Sequence, residues 1–142
     1  METVKNSIKK HEGFRNKVYK DTLGKRTIGY GHLCVEDWWE DDKEYTQAEL
    51  ERIFDKDFDK AKEGASKLYE GCEINDTAKG VIIEMVFQLG TTGVSKFKNM
   101  WKALKETPPN YSVAKIEMLD SRWAKQTPNR AKELSNILGG IN

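Results

Sequence analysis

The chain has 142 residues, 37% apolar and 33% charged, which fits one compact domain or two small lobes sharing a core and excludes a disordered chain. Its formal net charge is +1. A dedicated nucleic-acid protein carries a basic excess, so no nucleic-acid partner is expected, while an anionic polymer stays open because a balanced total can hide a basic patch.

Residues 3–12 read as a short amphipathic helix with Val4 and Ile8 on one face and Gly13 as its stop. The start of the chain has no apolar segment of a secretory signal, and no run is long enough to span a bilayer. The expectation is a protein without stable membrane association, kept in the host cytoplasm until something else releases it. Phe14, Val18 and Tyr19 lead into Lys20-Asp21-Thr22-Leu23-Gly24-Lys25, which carries turn chemistry. Arg26 to Leu33 reads as a returning strand, with Ile28 and Tyr30 on one face and Thr27, Gly29 and Gly31 on the other. Two glycines on one strand face predict the close approach of a backbone or a ligand. The result is a hairpin with Asp21 at its mouth and Thr27 roughly across from it.

Residues 34–45 are acidic and irregular and contain Trp38-Trp39. Thr46 and Glu49 have capping-box spacing. The apolar residues from Leu50 to Leu68 then follow at helical intervals, giving a helix of about 30 Å, long enough to link two lobes. Asn75 or Asp76 caps a broadly apolar helix from Val81 to Leu89, ended by Gly90. Phe97, Trp101 and Leu104 mark another helix, closed by Thr107-Pro108-Pro109. Ser112 is read as the cap of a helix carrying Val113, Ile116 and Leu119. Thr127-Pro128 is read as an N-cap and first-turn pair before Ala131, Leu134 and Ile137. Cys34 and Cys72 form no CxxC pair and read as free, partly buried thiols.

Three polar residues sit where local physics disfavours them. Glu12 lies in the last turn of its helix, where the macrodipole opposes a negative charge. That suits a carboxyl that must hold a proton and donate it, although an exposed glutamate is the plainer reading of the position alone. Asp21 by itself is an ordinary turn residue. With Glu12 it makes the two-carboxyl set that glycoside hydrolysis uses. Asp57 lies on the apolar stripe of the linking helix and needs a partner. His32 is the expected one, in a tether rather than a catalytic pair. Other chemistries fail. His11-Glu12 starts like HExxH but continues to Arg15. There is no P-loop, no GxSxG and poor raw material for a metal site.

His11-Glu12-Gly13-Phe14-Arg15, Tyr19-Lys20-Asp21-Thr22 and Thr27-Ile28-Gly29-Tyr30-Gly31-His32 resemble the catalytic region of phage T4-type lysozymes, the endolysins. Met85-Val86-Phe87-Gln88-Leu89-Gly90, Ser121-Arg122-Trp123 and Asn129-Arg130-Ala131 resemble the same family's C-terminal part, so the likeness runs from about residue 3 to 138. It implies an α+β, mostly helical fold in a single lysozyme domain, residues 1–142. An N-terminal lobe, about 13–45, carries a small β-hairpin sheet. A linking helix, about 46–68, leads to a helical C-terminal lobe, about 69–142, on which helix 3–12 packs. The implied activity is hydrolysis of the β-1,4 bond between N-acetylmuramic acid and N-acetylglucosamine in peptidoglycan, with inversion. No cofactor and no metal are implied.

Glu12 matches the general acid, Asp21 the second carboxylate and Thr27 the threonine that helps hold the water. Arg130 matches an arginine pairing with the catalytic glutamate, and Asp57-His32 an interlobe ion pair. Leu33 and Phe87 match sugar contacts, and Gln88 and Trp123 a supporting polar pair. The partners implied are peptidoglycan glycan strands and a holin-type protein for release, with the enzyme itself a monomer. The chain departs from the family at residues 34–45, and at two sugar-contacting positions that are here Met100 and Glu117.

Overall fold

A computed structural model describes residues 1–141. Among them are seven helices and one three-stranded antiparallel sheet, a mostly helical α+β fold. The chain divides into two compact units, residues 2–60 and residues from Ala61 onward together with Met1.

In the first unit, α1 spans Glu2–Glu12 and buries Ile8 completely. Gly13 ends it at φ +72°, and its amide donates to the Lys9 carbonyl at 3.0 Å. A left-handed residue is the ordinary device for closing a last turn, and glycine adopts it without steric cost. α1 belongs to the first unit, where charge matching helps to hold it. Lys5 and Lys9, one turn apart, face Asp55 at 3.5 Å and Glu51 at 2.9 Å, and the Lys9 ammonium lies 4.9 Å from the Phe54 ring centre.

The sheet holds β1 (Arg15–Lys20), β2 (Arg26–Gly29) and β3 (His32–Leu33) in that order. The single returning strand expected from 26 to 33 is therefore two strands. The chain reverses at Tyr30-Gly31, because Gly29 and Gly31 take φ of +63° and +76°. A period-two pattern cannot reveal a turn made by glycines that also fit a strand. β2 becomes the central strand, so Thr27 and Ile28 are both buried. Residues 34–45 contain no helix or strand, as expected. They are ordered by a small core of Ile28, Trp39, Tyr45 and Leu50.

α2 (Gln47–Leu68) has 22 residues, about 33 Å at 1.5 Å each, and is the one helix with residues in both units. Thr46 caps it, its hydroxyl accepting from the Glu49 amide at 3.1 Å.

The second unit contains α3 (Asp76–Ser95), α4 (Lys98–Leu104), α5 (Tyr111–Leu119), α6 (Arg122–Gln126) and α7 (Pro128–Gly139). α3 is buried along Val81–Val86. Asn75 is its cap, accepting from the Ala78 amide at 2.9 Å. Gly90 interrupts α3 at φ +80°, ψ +163°, but the chain then re-enters helix to Ser95 instead of ending. Two expected caps are corrected. Asn110, not Ser112, caps α5, accepting from Val113 at 3.1 Å. Thr127 makes no cap bond to α7 and instead donates to the Trp123 carbonyl at 3.0 Å. Pro128 already removes one orphan donor from that first turn. α6 is too short to show an apolar period.

Candidate active site

Glu12, Asp21, Thr27, Leu33, His32 and Asp57 all belong to the first unit. Glu12 is the last residue of α1 and half-buried. Its carboxyl lies against the backbone of the β2–β3 turn. A β-carbon built on Gly31 would run into Glu12 Oε1 and stand 3.0 Å from its Cδ. Sequence expected a backbone or a ligand here; the group that comes close to Gly31 is a side chain, the carboxyl of the candidate acid.

Asp21 sits in the β1–β2 turn. Its Oδ1 accepts from the amides of Leu23 and Lys25, both at 2.9 Å. The turn thus fixes the carboxylate through one oxygen, and Oδ2 has no protein partner among the described residues. Thr27, 3% exposed, donates its hydroxyl to the Lys25 carbonyl at 3.0 Å. With the proton committed there, the Thr27 oxygen is left as an acceptor. Its register partner is Tyr19, two residues before Asp21, which sequence placed roughly across from it. Tyr19 feels the charge of both acids. Burial pushes its phenol up, the Glu12 and Asp21 charges push it further, and Arg15, stacked 4.8 Å from the ring centre, opposes them.

His32 Nδ1 lies 2.7 Å from Asp57 Oδ2, as expected, and Nε2 lies 2.9 Å from Glu36 Oε1. Carboxylates only accept, so the doubly protonated ring satisfies both partners. Burial alone would lower the His32 pKa, but these two acids outweigh it and raise it above 6.5. For Glu36, burial acts upward and is outweighed by hydrogen bonds from Trp39 and His32, so its carboxyl is held below 4.5. The His32 contribution is present below its unfolded value and lost as pH rises through its folded value. The Glu36 contribution is lost as pH falls. The network therefore stabilises the fold most between about pH 4.5 and 6.5. The stability gap between the parent and His32→Gln in urea unfolding is expected to be larger at pH 5.5 than at pH 9. Equal gaps would refute this.

The second unit holds Phe87, Gln88, Trp123 and Arg130. Trp123 is buried, and its indole donates to Gln88 Oε1 at 2.8 Å. Arg130 donates from Nε to Glu84 Oε2 at 2.8 Å, with both side chains almost fully buried. A groove of about 430 Å³ in this unit is lined by residues including Leu89, Phe97, Met100, Glu117 and Trp123, so the two departing positions share one surface. Leu33 is 42% exposed and Phe87 half-buried.

Two acids in these networks were not singled out by sequence. Glu84 is the lone acid in an otherwise apolar buried run, which was the available signal. Glu36 follows His32 by four residues in an irregular segment, where no periodicity points to it.

The family model for phage lysozymes matches residues 9–137. The chain belongs to the phage lysozyme family. It is a lysozyme-type hydrolase. Among similar proteins are two from Dictyostelium discoideum. Probable T4-type lysozyme 2 is 29% identical, covering 95% of this chain and 92% of the relative. Probable T4-type lysozyme 1 is 30% identical, covering 96% and 93%. The pre-baseplate central spike protein Gp5 of Enterobacteria phage T4 is 29% identical over 92% of this chain, which corresponds to 26% of that longer protein.

Proposed function

We propose that this lysozyme hydrolyses the β-1,4 bond between N-acetylmuramic acid and N-acetylglucosamine in peptidoglycan by a single inverting displacement. The observation that carries this is the pairing of differently held carboxyls in one unit. Glu12 is packed on the Gly31 backbone at a helix C-terminus, and Asp21 is fixed through Oδ1 by two amides. Glu12 protonates the leaving oxygen. Asp21 orients and activates the attacking water through Oδ2. Thr27, its hydroxyl hydrogen bonded to the Lys25 carbonyl, accepts from that water and fixes its second hydrogen. Leu33, exposed on β3 of the same unit, contacts sugar. His32 and Asp57 hold β3 to α2.

The test is clearing of a peptidoglycan suspension by the parent and by Glu12→Gln, with both shown to be folded. The variant is expected to lose at least about 100-fold in rate, the size of one general-acid contribution. Equal clearing would reject the assignment. NMR of the fresh product anomer reads the stereochemistry, and a retained β anomer would reject the inverting step.

A further inference from the structure

The segment from Cys34 to Tyr45 departs from the lysozyme motifs, yet it is firmly built. The Cys34 amide donates to the Arg26 carbonyl, and the Tyr45 amide to the Asn16 carbonyl, both at 2.9 Å. Arg26 also donates to the Trp39 carbonyl, and the Glu40 amide to the Tyr45 hydroxyl, again both at 2.9 Å. Trp39 turns inward, 6% exposed, with its indole donating to Glu36 at 2.7 Å. Trp38 turns outward on this frame. It is 59% exposed, with its ring centre 6.1 Å from that of Trp39. Val35 on this stretch and Leu33 just before it are exposed as well.

An indole left in water forgoes a large burial gain. Displaying it on an anchored backbone lowers the entropy lost when a ligand arrives. Acids are in excess around it, although Arg26 pairs with Asp41, Lys17 with Glu44 and His32 with Glu36. Residues 34–45 carry six carboxylates and one cation, Lys43. Lys43 is already engaged by Glu40 at 3.7 Å and by the Tyr45 ring at 5.0 Å. Asp37 and Asp42 are exposed and have no ion-pair partner among the described residues. These two carboxylates attract ammonium groups.

We propose that Trp38 is a sugar-stacking platform selecting glycan segments with free amines, that is, N-deacetylated β-1,4-linked hexosamine. The apolar face of the pyranose ring lies on the indole, and the ammonium groups meet Asp37 and Asp42. This rests on the glycosidase reading above only for the kind of polymer involved.

The test uses the full chain carrying Glu12→Gln to stop turnover, titrated calorimetrically with glucosamine hexamer and with N-acetylglucosamine hexamer. The glucosamine hexamer is expected to bind more tightly, with the advantage shrinking at high salt. Trp38→Ala is expected to weaken it about tenfold, the scale of one aromatic contact, without changing the unfolding midpoint. Asp37→Asn with Asp42→Asn is expected to remove the preference for the amine form while leaving the acetylated affinity in place. Unchanged affinity in Trp38→Ala overturns the proposal. So does self-association seen by sedimentation that Trp38→Ala abolishes while sugar binding persists, which would assign the face to a second copy. If Glu12→Gln clears wall as fast as the parent while the Trp38-dependent binding holds, the lysozyme mechanism fails and the platform stands.

Discussion

Gly31→Ala is expected to cut wall-clearing activity by about 100-fold, because displacing a catalytic group by about an ångström has effects of that size. The added methyl group would occupy the space now filled by Glu12 Oε1. Since Gly31 sits at φ +76° in a tight turn, the carboxyl is the partner freer to move. The left-handed backbone adds a stability cost of about 1–2 kcal/mol, so activity must be separated from folding. Gly29→Ala is the control. It carries similar strain at φ +63°, but the nearest atoms to its β-carbon would be those of Leu50, from 3.4 Å outward, an ordinary contact. The two variants should lose comparable stability in urea, while only Gly31→Ala loses most of its rate. Equal rates in the two variants would show that the Glu12 contact does not matter for catalysis.

Glu84→Ala is expected to destabilise the protein by about 3–5 kcal/mol, the usual cost of stranding one charge of a buried pair. Glu84 and Arg130 have side chains 2% and 8% exposed and a contact of 2.8 Å. Removing the carboxylate leaves the guanidinium without that compensation in a region of low dielectric. Replacing both residues by leucine should recover part of the loss, because neither charge of the pair is then buried without the other. Equilibrium unfolding of the single and double variants measures both numbers. A loss under about 1 kcal/mol in the single variant, the size of a surface pair, would show that Arg130 is held adequately without Glu84.

The elements with strong local signals were legible in the sequence. Gly13 closing α1, Thr46 capping α2 and the apolar run of α3 each rest on chemistry within a few residues of the feature it explains. The errors fall where two local readings compete. Ser112 and Asn110 both suit a cap, and only the path of the chain into α5 selects Asn110. Thr127 has the right identity for a cap, but Trp123, one helical turn back, offers its hydroxyl a carbonyl. Residues 26–33 alternate like one strand, yet two glycines fold them into a hairpin.

Glu12 and Asp21 were recognisable as candidates because each is odd or useful in its local setting, and the motif resemblance joined them. How they are held is a different kind of information. The Glu12 carboxyl on Gly31, the twin amides on Asp21 and the second acid on His32 all come from residues brought together by folding. The sequence by itself determined the family, the helical plan and which two carboxyls are the candidates, since periodicity, caps and motifs act over short spans. Only the tertiary structure decided that Gly31 clears space for Glu12, that Glu84 faces Arg130 and that Trp38 points outward while Trp39 points in. Those outcomes depend on packing and charge pairing between segments far apart in the chain, which no local pattern encodes.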